Sequence, residues 1–173
     1  MEAQLVLRTI ERLEARGEDL WILERSDTKL VLELPGFSPL RLYRATCECT
    51  TETEILIEIC IGECYAPERP CEIDHFVQRL NRTYEATKYP EEGSFGRRRR
   101  DSAIVYRLPF HTTERDISPA GLARLFCSIA FDCEMARSPI TSFLRGEEVS
   151  ESTIEFAFRD VPLLDGEELA KPH

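Results

Sequence analysis

Residues 54 to 61 read Glu-Ile-Leu-Ile-Glu-Ile-Cys-Ile, and this octet decides the fold class. Ile55, Ile57, Ile59 and Ile61 fall on one face at period 2, with Leu56, Glu58 and Cys60 on the other. That is the pattern of a strand with one side against a core. Upstream, three more runs have β-type composition, Trp21 to Arg25, Lys29 to Leu34 and Leu40 to Cys49, separated by turn chemistry such as Ser26-Asp27 and Pro35-Gly36. Their short connections make the four runs an antiparallel meander. Before it, Val6, Ile10 and Leu13 recur at i, i+4 and i+7, while Glu11, Arg12, Glu14 and Arg16 fill the other side. This predicts an amphipathic helix stopped at Gly17.

Downstream, the prolines between Ala66 and Pro70 mark a loop, and Ile73, Phe76, Val77, Leu80 and Tyr84 then give a helical stripe. Gly93, Gly96 and an alternating run from Ser102 to Phe110 predict two or three further short strands. Ser118 and Pro119 combine an N-cap and an N1 signal for a third helix. Its stripe is Leu122, Leu125, Phe126, Ile129 and Cys133, and Pro139 is expected to end or kink it. The resulting class is α+β: an antiparallel sheet flanked by helices, in the order α-β(3-4)-α-β(2-3)-α. Residues 1–146 form the expected domain, and 147–173 an acidic C-terminal tail. Ile154, Phe156 and Phe158 alternate within the tail and suggest an edge strand at 153–159.

Composition narrows the function classes. At 173 residues the chain suits one domain with an appendage, and 42% apolar with 31% charged residues is ordinary for a globular protein. No apolar stretch approaches the roughly 18 residues of a membrane span. The N-terminus is acidic from position 2 and helically patterned, unlike a secretory signal, so the expected location is cytoplasmic. A net charge of −10 repels a phosphate backbone and argues against nucleic acid as partner. All but three of the 22 basic residues are Arg, a bias expected of a GC-rich bacterial genome. Seven cysteines without an export signal are expected to be reduced and mostly buried.

The stretch from Glu72 to Leu144 carries a resemblance. A helix with the pair Leu80-Asn81, strands ending in Arg107-Leu108-Pro109, and Ile117-Ser118-Pro119 opening a long helix with Leu122, Leu125 and Phe126 resemble the YbjN family. That family is similar in fold to the Tir-type chaperones of type III secretion. With the first helix and the meander, the likeness covers roughly positions 3 to 144. It implies a secretion-chaperone-like fold and a small acidic bacterial protein, often a homodimer, that binds other proteins without chemistry of its own. In that reading Asn81 is a helix-end anchor. The Cys-rich meander, the four-arginine run and the acidic tail have no counterpart in the family pattern.

Candidate chemistry is sparse. Cys60, Cys64, Cys71 and His75 form the nearest thing to a metal site, with Cys71 and His75 one helical turn apart, yet no C-x2-C pair exists and core thiols explain them more simply. Cys47 and Cys49 put both sulfurs on one side of a strand, as buried pleat neighbours also do. None of His75, His111 and His173 sits in a motif that orients a nucleophile, and HExxH, G-x-S-x-G and phosphate-loop patterns are absent. No enzyme and no cofactor are therefore expected. Arg97, Arg98, Arg99 and Arg100 could contact an anion or an acidic partner, pair with the acidic tail, or line a solvated strand. The favoured reading is a protein-binding module that holds a segment of an unidentified partner by β-augmentation or groove burial. Phe126, Ile129, Phe143, Ile154, Phe156 and Phe158 are its candidate contacts, with core packing as their alternative. A zinc- or thiol-dependent regulator and a small enzyme of unrecognised type remain open beside it.

Overall fold

The computed structural model describes residues 2–36, 41–62, 70–86 and 93–159. Chain order is α1 (Glu2–Ala15), β1 (Trp21–Arg25), β2 (Lys29–Pro35), β3 (Leu42–Cys49), β4 (Glu54–Gly62), α2 (Pro70–Glu85), β5 (Ser94–Arg97), β6 (Ile104–His111), α3 (Pro119–Leu144) and α4 (Glu151–Arg159). The strands form one antiparallel sheet in the order β1-β2-β3-β4-β6-β5. The α+β class and the helix-first order thus agree with the sequence pattern.

One face of the sheet carries the core. Leu30, Leu32 and Leu34, Tyr43, Ala45 and Cys47, Ile55, Ile57 and Ile59, and Tyr106, Leu108 and Phe110 alternate inward and are buried. Against them pack the stripes of α1 (Val6, Ile10, Leu13), α2 (Ile73, Phe76, Leu80) and α3 (Leu122, Ile129, Cys133). The opposite face is open over β3, where Leu42, Arg44 and Glu48 are exposed. A half-solvated sheet of this kind produces the clean alternation that the sequence displays. Among the described residues no helix is long and apolar enough to cross a membrane.

Three differences from the sequence expectation stand out. Residues 153–159 are helical, not an edge strand. Ile154 and Phe158 stand one turn apart and both are buried, Phe156 points away at 67% exposed, and the Ser150 hydroxyl accepts the Thr153 N–H at 3.1 Å as a cap. Residues 151–159 consequently join the same core as 2–146, with Phe158 lying 5.7 Å from the Tyr84 ring and 6.3 Å from the Phe95 ring. The tail beyond Arg159 lies outside the described residues. Pro139 is buried inside α3, which continues to Leu144. Two strands, within the two or three expected, occupy the region before α3. Only Arg97 of the arginine run belongs to β5; the chain then turns through residues 98–103, with Ser102 at φ 56° and the Arg98 N–H donating to the Ala103 carbonyl at 2.8 Å.

Helix side chains cover both sheet edges. At the β5 edge, Asn81 of α2 donates Nδ2–H to the Phe95 carbonyl (2.9 Å) and accepts the Phe95 N–H on Oδ1 (2.7 Å), copying a neighbouring strand. At the β1 edge, Glu14 of α1 accepts the Ile22 N–H at 2.7 Å and pairs with Arg25, and the register shifts between Ile22 and Glu24. A bulge and a capped donor on so short a strand blunt it against further pairing. For β-augmentation, one of the two binding modes expected from sequence, the edges are capped at Phe95 and Ile22, while Trp21 and Leu23 leave the rest of β1 exposed.

Protonation inside the core has a consequence for stability. Burial pushes the Cys47 thiol up to about 12 and the Cys133 thiol well above its usual range. Burial first, and then hydrogen bonds donated to Glu134 (2.5 Å) and Asp132 (2.6 Å), raises the phenols of Tyr43 and Tyr84. The folded chain holds protons that the unfolded chain releases above about pH 8.5 for Cys and about 10 for Tyr. Stability is full below that window and falls as pH rises through it, by about 1.4 kcal/mol per pH unit for each fully buried thiol. Urea midpoints measured from pH 7 to 10.5 should hold up to about pH 8.5 and decline above it, and a flat profile over the whole range would contradict these burials.

Candidate partner-binding site

The Gly17 turn builds one wall of the site. Gly17 adopts φ 78°, its N–H donates to the Glu14 carbonyl (2.9 Å), and the Glu18 N–H donates to the Leu13 carbonyl (3.2 Å). This paired closure ends a helix on a left-handed glycine. It swings Glu18 and Asp19 outward and returns the chain at the buried Leu20. The facing wall is α3, whose Ala123, Cys127 and Ala130 recur at i, i+4 and i+7 beside Phe126. Leu13, Leu34 and Pro35 complete a largely apolar groove of about 170 Å3. Two exposed carboxylates stand at its mouth and the exposed Cys127 thiol on its wall.

Of the six contact candidates read from sequence, only Phe126 lines this groove. Ile129 is fully buried on the sheet-facing stripe of α3, Ile154 and Phe158 are core residues of α4, and Phe126 itself is only 4% exposed and shares that core while lining the groove. Phe143 is half-buried and stacks on Phe76 with ring centroids 4.2 Å apart. Phe156 alone is well exposed, and it stands on α4. The six do not form one strip, because α3 and α4 turn each stripe inward at helical spacing. Sequence reasoning missed Glu18, Asp19 and Cys127. The small-residue repeat in α3 was visible, but its facing wall comes from elements about a hundred positions earlier.

The arginine run is divided by its own neighbours. Arg97 makes two hydrogen bonds to Asp74 of α2 (2.8 and 3.1 Å), holding that carboxyl below its usual range. Arg98 bonds Asp101 (2.7 Å) and reaches Glu58 on β4 (3.3 Å). Arg99 and Arg100 are exposed at the turn, with Arg100 3.7 Å from Asp101. Arg98 and Arg100 line one cavity with Lys29, Glu48 and Glu58, while Arg97 is held by α2, so the four do not gather at one point.

The cysteine candidates are dispersed as well. Cys60 is half-buried on the open face of the sheet, its sulfur 3.9 Å from an Arg98 nitrogen. Cys71 and His75 are exposed on α2, and Cys64 lies outside the described residues. Among the described residues no three His, Cys, Asp or Glu side chains converge as a metal site would require. Cys47 and Cys49 share the core face of β3, as their spacing predicts. No family model matches the chain, and no curated protein matches it.

Proposed function

We propose that the protein is a binding module without chemistry of its own, and that it holds an apolar, basic segment of a partner protein in the groove between α1, β2 and α3. The observation that carries this reading is the groove itself: apolar walls from three elements with Glu18 and Asp19 at the mouth. Apolar burial supplies affinity in such a site, and the two carboxylates favour a Lys or Arg flanking the apolar residues of the guest. Relationship to the YbjN family, and through it a chaperone-like role, is part of the proposal. Its support is the order of elements and the place of Asn81 against β5.

Full-length tagged protein incubated with extract of its native host provides the test. Ala123→Trp fills the groove, and the pair Glu18→Lys and Asp19→Lys inverts its mouth. Neither change touches a fully buried residue. One partner retained at fixed stoichiometry, and weakened about tenfold or more by each change (about 1.4 kcal/mol), is expected. Retention by both variants, or no retained chain, would overturn the assignment.

A further inference from the structure

A second cavity lies across α3 from the groove. Its α3 lining is Gly121, Arg124, Leu125 and Ser128, whereas Ala123, Phe126, Cys127 and Ala130 line the groove, so the two open on different sides of the helix. At about 330 Å3 it has about twice the groove's volume of about 170 Å3. Its charge is reversed as well. Phe110 and Leu125 supply the apolar part, Arg115 lies 5.9 Å over the Phe110 ring, and Arg124 stands 3.2 Å from Asp116. Two guanidiniums thus outnumber one carboxylate, in a chain whose net charge is −10. The Arg124 side chain is 75% exposed, and an ion pair so well solvated is exchanged for another at little cost.

Helix directions aim the chain at this cavity. Arg79 of α2 holds the start of α4 through the Val149 carbonyl (2.8 Å) and Glu151 (2.6 Å), and Tyr84, further along α2, meets Phe158 near the end of α4. The two helices therefore advance in the same sense. α2 in turn runs against α3, from Phe76 stacked on Phe143 to Tyr84 bonded to Asp132. Beyond Asp132 in that direction come Ser128, Leu125, Arg124 and Gly121, which share its face of α3 and lie about 6 to 16 Å further along at 1.5 Å per residue. The residues after Arg159 read Asp-Val-Pro-Leu-Leu-Asp-Gly-Glu-Glu, an apolar stretch at 161–164 followed by acids at 165, 167 and 168. At about 3.3 Å per residue, positions 161 to 164 reach about 7 to 17 Å from Arg159, which matches the span of the cavity. Apolar residues followed by acids complement its apolar floor and its arginines.

We propose that residues 161–168 dock in this cavity of their own chain, Leu163 and Leu164 against Phe110 and Leu125, and the acids that follow against Arg115 and Arg124. Glu18 and Asp19 repel the same acids, so the segment is no guest for the α1–β2–α3 groove, and the two assignments stand or fall independently. NMR relaxation and NOE spectra of the full-length protein test it, in wild type, in Arg115→Glu with Arg124→Glu, and in that pair combined with Asp165→Lys, Glu167→Lys and Glu168→Lys. The arginine pair sets like charges against the segment, and the combined variant restores opposite ones. Wild-type backbone order parameters of about 0.85 at 163 and 164, a fall below about 0.6 in the arginine pair, and recovery in the combined variant are expected. NOEs from the Leu163 or Leu164 methyls to the Phe110 ring should accompany the order, at low and high protein concentration alike. Wild-type order parameters below about 0.6, or an arginine pair as ordered as wild type, would overturn the proposal. So would order that rises with protein concentration, which would put the segment in a second copy, or a combined variant that is folded by circular dichroism yet keeps low order parameters at 163 and 164.

Discussion

Phe158→Ala should lower the unfolding free energy by about 3 kcal/mol, the lower end of the range for removing a buried phenylalanine. Its ring lies against Tyr84 and Phe95 at centroid distances of 5.7 and 6.3 Å, and nothing else on the described part of α4 except Ile154 enters the core. Losing half of that anchorage frees the helix while the sheet and α1 to α3 keep their own contacts. Urea unfolding gives the size of the effect, and hydrogen exchange locates it. Amides of 153–159 should exchange early, and those of β3 and β4 should not. Phe156→Ala, on the exposed side of the same helix, serves as the control and should cost less than about 0.5 kcal/mol. Equal losses from the two substitutions would contradict the orientation of α4.

Asn81→Leu should cost about 2–3 kcal/mol, because it keeps the volume of the side chain and removes both partners of the Phe95 peptide groups, leaving a donor and an acceptor unpaired at a half-buried edge. Asn81→Asp keeps the acceptor for the Phe95 N–H but sets a carboxylate against the Phe95 carbonyl, and should cost about as much. The readout is again the urea midpoint, with early exchange at Phe95 and Gly96. An unchanged midpoint in both variants would mean that α2 holds β5 by packing alone. The same substitution uncovers a strand edge, so increased self-association on prolonged incubation is a second expected sign.

The parts of the fold legible in sequence are those where one residue's neighbours decide its place. Ile55, Ile57 and Ile59 alternate because one face of β4 is core and the other open, and burial follows that alternation. Ser118 caps α3 by accepting the Gly121 N–H at 3.1 Å, as its position before Pro119 predicts. The misreadings share a different cause. Ile154, Phe156 and Phe158 satisfy a period of 2, but Ile154 and Phe158 equally satisfy i, i+4; the deciding signal was Ser150 followed by Glu151, a helix start. In the arginine run the strand reading fails beyond Arg97, where Asp101 captures Arg98 from three residues away.

Tertiary sites were the least legible. The groove draws on residues 13 to 20, 34 to 35 and 123 to 130, and no local pattern announces that these will meet. Phe126 was singled out as a contact for its type and does line the groove, while Ile129, equally apolar and three residues on, faces the sheet.

Alkylation of Cys127 in the co-purified complex is the most direct test of the claim that this groove holds the partner. Cys127 lies on the groove wall and is exposed, and Cys71, exposed on α2, provides an internal reference in the same molecule. In the free protein both thiols should react with maleimide. In the complex the account predicts that Cys127 is slowed severalfold while Cys71 reacts as before. Unchanged reactivity of Cys127 in a complex shown by light scattering to be intact would contradict it.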